Sequence, residues 1–355
     1  MWRYLILAPV AAIPSGIAGI TPRWLTDALH SNGFGGHVVD VRAERIAQDS
    51  GFSSLLYRLH LAGDGIPDTL IAKLPAESAA RGAMELLGGY RRELAVYRDV
   101  AGRAPMGAPR VYVADGAVDS ADFVLLLEDL ADWHNADHLA GLSMSQARTC
   151  IGALAGLHSW KSDAAARQQF PSIDTPIMRN LMVPAFGLGW QVYRENSSAS
   201  VSGHMQRFAE GFATYAPEAL TVLTERDDLL HGDIRADNMF FRGGELKVVD
   251  FQFASRGCGA ADIAYLVSQG LPSADRRGQD EVLVREYLGQ LTGAAYAFDD
   301  AWRHYRYAAA YLLMMPVVSL LTWDTVPERS RQLCLTLVDR AVACIEEIDA
   351  LEVFS

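Results

Sequence analysis

The run His231-Gly232-Asp233-Ile234-Arg235-Ala236-Asp237-Asn238, with Val248-Val249-Asp250-Phe251-Gln252 shortly after it, decides how this chain is read. The first half is polar, yet Leu229 and Leu230 precede it and Met239, Phe240 and Phe241 follow it. That pattern predicts a loop held between buried anchors. Asp233 and Asn238 are five apart, and Asp250 comes at the end of a strand-like run over 245–251. Phosphoryl transfer needs these groups: a carboxylate to orient an acceptor and take its proton, and hard oxygen ligands to hold Mg²⁺ against phosphates. An Asp-x4-Asn loop and a strand-terminal Asp-Phe supply them in kinase-like folds. The same residue types also cap loops in many proteins, and His231-Gly-Asp233 taken alone suits a metallophosphatase dyad.

Working outward, such a loop calls for a phosphate-binding lysine upstream. Lys73 lies in Thr69-Leu-Ile-Ala-Lys-Leu-Pro75, a charge inside an apolar strand, which demands a partner. Glu93 lies three residues after Tyr90 and four before Tyr97, so a helix turns it inward with the apolar stripe. A Lys73–Glu93 ion pair is therefore expected. Asp49-Ser-Gly-Phe-Ser53-Ser54 is the candidate turn covering the phosphates, although with one Gly it is not a full glycine-rich loop.

Around these residues, 38–46, 53–61, 69–74, 110–114 and 123–127 read as strands bounded by Gly, Asp and Pro. One helix interrupts them, through Met84, Leu87, Tyr90, Leu94, Tyr97 and Val100. Past Leu130 the spacing becomes helical. Ser143-x-x-Gln146 opens a helix as a capping box, and further helices are expected over 176–195, 203–224, 260–270, 281–292, 300–322 and 328–350. The expected fold is α+β and two-lobed: a small five-stranded antiparallel lobe with one inserted helix over 20–130, then a mainly helical lobe over 131–355. Residues 1–19 read as a leader or an over-long start, poorly ordered. The Gly33, Gly35, Gly36 cluster follows a helix rather than a strand, so it reads as a helix stop and not a dinucleotide loop.

Lys+Arg 31 against Asp+Glu 43 leaves a net charge of −12 over 355 residues, which speaks against nucleic acid or anionic lipid as a partner. Four cysteines with no CxxC pair point away from a disulfide framework and a thiolate zinc site, and toward a reducing cytoplasm. The apolar run at 311–323 is too short for a membrane span and holds Pro316. Only His134 and His138 have a metal-pair spacing, in a segment that reads as a turn. Trp133, Trp160, Trp190, Tyr193 and Trp323 suit either core packing or an apolar acceptor pocket.

The motif set resembles the aminoglycoside phosphotransferase/choline kinase superfamily, and within it the ecdysteroid-kinase-like branch. Supporting pieces stand in order: Ile20-Thr-Pro-Arg-Trp-Leu25, Gly51-Phe-Ser-Ser54, Leu70-Ile-Ala-Lys73, Glu93 with Tyr97, Leu126-Leu-Glu-Asp-Leu130, Ala155-Gly-Leu-His158 and Asp262-Ile-Ala-Tyr265. The resemblance implies a protein-kinase-like fold that uses ATP and Mg²⁺ to phosphorylate a hydroxyl of a small organic acceptor. Carried over by position, Asp233 is the catalytic base, Asn238 and Asp250 are metal ligands, and Lys73 with Glu93 anchors phosphate. The Glu128–Leu130 backbone then faces adenine, Asp262 steadies the catalytic loop, and His231 packs it. A monomer or homodimer is expected. A non-catalytic nucleotide-binding regulator of pseudokinase type is the rival, disfavoured because Lys73, Asp233, Asn238 and Asp250 are all intact.

Two departures stand out. Asp-Phe-Gln replaces Asp-Phe-Gly, so no protein-kinase-style switching is expected there. Arg235 occupies a position where the branch usually carries an aromatic. Its guanidinium suits contact with the transferred phosphate in the transition state. It suits equally a loop-fixing salt bridge with Asp237 or the helical lobe.

Overall fold

The structure is a computed structural model that describes residues 12–46, 54–76, 79–116, 122–161, 164–293 and 295–354. The chain divides into two units, one of Met1–Ala101 with Pro109–Ala131, the other of Gly102–Ala108 with Asp132–Ser355. The short piece 102–108 belongs with the second unit because Val248 N–H donates to the Gly107 carbonyl at 2.9 Å. A Cβ at position 107 would stand 2.0 Å from the Leu246 carbonyl oxygen, so the approach needs glycine.

In the first unit Thr21 starts helix α1 (Pro22–Ser31) by accepting the Trp24 N–H on its hydroxyl, with proline as the first helical residue. Strands β1 (His37–Ile46), β2 (Ser54–Asp64) and β3 (Thr69–Pro75) follow. Helices α2 (Ala79–Leu87) and α3 (Gly89–Asp99) come next, then β4 (Val111–Gly116) and β5 (Phe123–Glu128). The strands form one antiparallel sheet in the order β1-β2-β3-β5-β4. Alternation along β3 sends Leu70, Ala72 and Leu74 into a core shared with Leu25 and Leu29 of α1. Lys73 faces the other way, in register with Leu125 of β5 and Leu56 of β2. Where the apolar spacing predicts one inserted helix there are two, parted at Gly88, whose φ of 70° no ordinary helical residue adopts. Of residues 1–19, set apart in the sequence, 12–19 are described: Ile13 and Ile17 pack on this core, and the Trp24 indole donates to the Ala12 carbonyl at 2.8 Å.

The second unit is mainly helical. It runs β6 (His134–Asn135), α4 (Met144–Ser159), α5 (Ala164–Gln168), a π-helical stretch (Met178–Met182), α6 (Val183–Asn196), α7 (Gly203–Glu210) and α8 (Phe212–Val222). Three strands β7 (Asp228–Leu230), β8 (Met239–Arg242) and β9 (Glu245–Val248) precede β10 (Ser255–Gly257). Then come α9 (Ala260–Gly270), α10 (Ser273–Arg276), α11 (Asp280–Gln290), α12 (Phe298–Leu312), α13 (Met314–Ser319) and α14 (Glu328–Glu347), followed by a 3-10 turn at Ala350–Phe354. Every residue of α9 is buried, with α4, α11, α12 and α14 packed around it. The expected capping box is present on α4.

Three expected helices differ from their spacing. The helix expected over 176–195 is interrupted by the π-helical stretch at Met178–Met182 and runs as a regular α-helix from Val183. The 203–224 helix breaks at Gly211 into α7 and α8. The 300–322 helix stops after Leu312, because Pro316 lacks an N–H and its ring opposes the carbonyl four residues back. The Leu312 carbonyl is taken instead by the buried Gln269 amide at 3.1 Å. Trp190 packs against both Phe186 and Tyr193, and Trp190 and Tyr193 are buried, as core residues are. Trp133 is buried between Arg242 and Lys247, 4.5 and 4.6 Å from its ring centre. Among the described residues no helix is long and apolar enough to cross a membrane.

Candidate active site

The loop after β7 is shaped by one helix. Gly232 has φ 80°, and a Cβ there would lie 2.2 Å from the Phe253 carbonyl oxygen, so only glycine fits the turn. The buried Asp262 carboxylate at the start of α9 accepts the His231 N–H on Oδ2 at 2.7 Å and the Gly232 N–H on Oδ1 at 3.0 Å. His158 of α4 reaches the same Oδ2 at 3.2 Å and is in turn 2.8 Å from the Tyr287 hydroxyl of α11. Burial pushes the Asp262 carboxyl up, but the His158 bond and charge, the His231 ring and the Gly232 N–H outweigh it and hold the group below its ordinary value.

His231 packs the loop as expected. Its Nε2 donates to the Val249 carbonyl at 3.1 Å, which leaves Nδ1 to accept the Asp233 N–H at 3.2 Å; these bonds assign the tautomer. Its ring also lies against Phe251, at 4.7 Å between centres. The loop thereby presents Asp233 with its carboxylate buried. Tyr265 donates its hydroxyl to Asp233 Oδ1 at 3.2 Å, and the Arg235 Nε stands 3.4 Å from Oδ2. Burial raises the Asp233 carboxyl and the Asp250 charge adds to that, while Arg235, His231 and the Tyr265 hydroxyl act against it.

Asn238 spends its amide N–H on the Asp233 backbone carbonyl at 2.9 Å, with Asp233 Oδ2 at 3.5 Å. Its own carbonyl accepts the Val249 N–H at 3.0 Å, tying the loop to the residue before Asp250. Asp250 holds φ 67°, a left-handed conformation costly for a non-glycine residue and typical of functional sites. Asp233, Arg235, Asn238 and Asp250 are thus brought together in the second unit. Asn238 Oδ1 and the Asp250 carboxylate are hard oxygen donors, which fit Mg²⁺. Among the described residues no three His, Cys, Asp or Glu converge on a metal site.

The Arg235 side chain keeps 35% of its exposure. Its guanidinium pairs with Asp233 and not with Asp237, whose Oδ1 accepts the His138 backbone N–H at 3.0 Å. The Asp233 charge, the largest influence on it, raises its already high pKa further. His134 is exposed on β6 whereas His138 is fully buried and off any helix, so the two form no metal pair.

In the first unit Lys73 Nζ donates to Glu93 Oε1 at 2.6 Å, with both side chains buried, as strand alternation and helical spacing predict. Ser54 is buried at the start of β2, and Ser53 lies outside the described residues. Glu128 ends β5 with its carboxylate accepting the Arg110 N–H at 2.9 Å. Asp129 takes a two-pronged contact from Arg58 at 2.7 and 3.3 Å, and Leu130 is buried. Sequence reasoning missed the Tyr265–Asp233 bond and the His158–Tyr287 support behind Asp262. The one available signal was the spacing of Asp262 and Tyr265, which places both on one face of a helix.

The model of the phosphotransferase enzyme family matches residues 45–302. No curated protein matches this chain by sequence. Among solved structures, a choline kinase from Cryptosporidium parvum is similar at TM-score 0.57 and 12% identity, over 89% of this chain and 94% of that one. An ethanolamine kinase from Plasmodium vivax is similar at TM-score 0.53 and 12% identity, over 87% and 83%. A choline/ethanolamine kinase family protein from Mesorhizobium loti is similar at TM-score 0.51 and 18% identity, over 97% of both chains. At these identities the likeness is one of fold.

Proposed function

The chain belongs to the phosphotransferase enzyme family, and on that premise we propose that it is an ATP- and Mg²⁺-dependent kinase that phosphorylates a hydroxyl of a small organic acceptor. The observation that carries the reading is the buried Asp233 carboxylate, fixed by Tyr265 on one oxygen, with the Asn238 amide bonded to its backbone and Asp250 beside it.

In the proposed reaction Asp233 Oδ2 accepts the proton of the acceptor hydroxyl as its oxygen attacks the γ-phosphorus in line. The bond from that phosphorus to the β,γ-bridging oxygen breaks, and ADP leaves. Asn238 and Asp250 would hold Mg²⁺, which supplies charge neutralisation on the phosphates. Lys73, oriented by Glu93, binds phosphate oxygens. Arg235, beside Asp233 and partly exposed, donates to the transferred group as charge builds on it. The backbone of Glu128–Leu130 receives adenine. Ser54, at the start of β2, is assigned to phosphate binding. We assign the chain to the ecdysteroid-kinase-like branch on the order of its motifs, with a cytoplasmic location and no nucleic-acid or membrane partner.

The test is ADP release from Mg·ATP, and in parallel GDP release from Mg·GTP, with pooled acceptors. The pool holds choline and ethanolamine, after the names of the structural relatives, with sugars, steroids and aminoglycosides. Acceptor-dependent release by the wild type, with Asp233→Asn reduced by at least about a hundredfold while still binding ATP, is the expected result. Undiminished turnover in Asp233→Asn removes Asp233 from the mechanism. Absence of nucleotide binding in the wild type overturns the kinase reading.

A further inference from the structure

Helix α9 reaches the loop after β7 at two points one turn apart. Asp262 holds the loop backbone through the His231 and Gly232 N–H groups. Tyr265, three residues on and so on the same face, donates its hydroxyl to Asp233 Oδ1 at 3.2 Å. Tyr265 is 5% exposed, and the helix that carries it is buried along its whole length. A phenyl ring would fill the same space, so packing alone does not call for the hydroxyl. Burying a hydroxyl is costly unless it is bonded, and here its bond goes to Asp233, the carboxylate that the proposed reaction uses as its base.

The second carboxylate oxygen is treated differently. Oδ2 has Arg235 Nε at 3.4 Å and Asn238 Nδ2 at 3.5 Å, both long for hydrogen bonds. The charged and titratable groups facing Asp233 are Arg235 and His231 of its own loop, Asp250 after β9 and Tyr265 of α9. Tyr265 in turn faces Asp233, Arg235 and Cys334 of α14. Of these, Tyr265 alone both donates to Asp233 Oδ1 and sits on a rigid helix outside the loop.

We propose that Tyr265 is a positioning residue for the catalytic carboxylate. Its hydroxyl occupies Oδ1 and locks the Asp233 side chain so that Oδ2 is the oxygen presented to the acceptor hydroxyl. This rests on the reading of Asp233 as the base, and α9 then sets both the backbone of the loop and the rotamer of its reactive group.

A double-mutant cycle of Tyr265→Phe and Asp233→Asn tests it, read as ADP release from Mg·ATP with the acceptor pool described above. Tyr265→Phe lowers kcat by about tenfold and leaves the KM for ATP within about twofold. In the Asp233→Asn background the same change has no further effect, because a residue acting only through the carboxylate has nothing left to position. Replacement of Tyr265 by 3-fluorotyrosine, which keeps ring and hydroxyl, retains turnover within about threefold. A kcat unchanged in Tyr265→Phe, with Asp233→Asn inactive, overturns the positioning role and leaves the base reading standing. Losses that multiply in the double variant show a general structural effect and also overturn it. Full turnover in Asp233→Asn instead refutes the reading on which the proposal rests.

Discussion

Asp262→Asn is the perturbation whose consequences are best defined by the geometry. The carboxylate is buried and accepts three hydrogen bonds, two on Oδ2 from His231 N–H and His158 and one on Oδ1 from Gly232 N–H. An amide of the same shape must place its NH₂ on one of those sides, so whichever way it turns one backbone N–H of the loop faces another donor. The loss is at least one hydrogen bond to a charged group, about 1.5–3 kcal/mol, plus an orphaned buried donor at about 1–3 kcal/mol. A total of about 3–5 kcal/mol follows, and with about 2–3 kcal/mol per molar of urea for a unit of this size the midpoint falls by about 1.5 M. The same bonds shape the loop that carries Asp233, so turnover drops as well, by about a hundredfold for a displacement near 1 Å. Urea unfolding followed by circular dichroism and ADP release measured on the same preparation check both numbers. A midpoint within about 0.3 M of wild type and turnover within about threefold would refute the view that Asp262 organises the loop.

Two further outcomes concern groups near this loop. Arg235→Ala lowers kcat by at least about tenfold, with Arg235→Lys intermediate because one charge remains without the planar fork; a loss below about threefold in the alanine variant excludes a transition-state contact. His138, buried and flanked by the Arg235 and Arg340 charges, has its pKa pushed down to about 3 by burial first and those charges second. Between about pH 6.5, where it titrates in the unfolded chain, and about 3 the unfolded chain binds a proton that the folded one refuses. Stability therefore falls as pH falls through that window, by about 1 kcal/mol per pH unit. His138→Leu flattens that slope in urea titrations at pH 6.5, 5.5 and 5, and identical slopes in the two proteins would show that His138 is not buried neutral.

How much could be read from the sequence varied with the range of the interaction. The five strands of the first unit were legible because each is long enough for alternation, and the Lys73–Glu93 pair followed from two local periodicities joined by the need to neutralise a buried charge. The strands β7, β8 and β10 were not legible, since runs as short as Asp228-Leu229-Leu230 or Met239-Phe240-Phe241-Arg242 show no alternation of apolar and polar residues. Helix breaks at Gly88, Gly211 and before Pro316 were hidden by apolar spacing that runs on across them, because packing continues even where the backbone ladder does not. Arg235 showed its charge but not its partner, for Asp233 and Asp237 are each two residues away and only the loop conformation turns it to the first.

What the sequence determined by itself is the set of groups and their local order: Asp233 and Asn238 on one loop, Asp250 shortly after a strand that stops at Val248 rather than at residue 251, Lys73 on the face opposite Leu70, Ala72 and Leu74. These follow from covalent spacing and from the two- and 3.6-residue periods of the backbone. Only the tertiary structure decided what holds each group. Tyr265 meets Asp233 across 32 residues of chain, and His158 meets Asp262 across 104. Such contacts depend on how α4, α9 and α11 pack around one another, and helix packing is a property of facing surfaces that no single segment encodes.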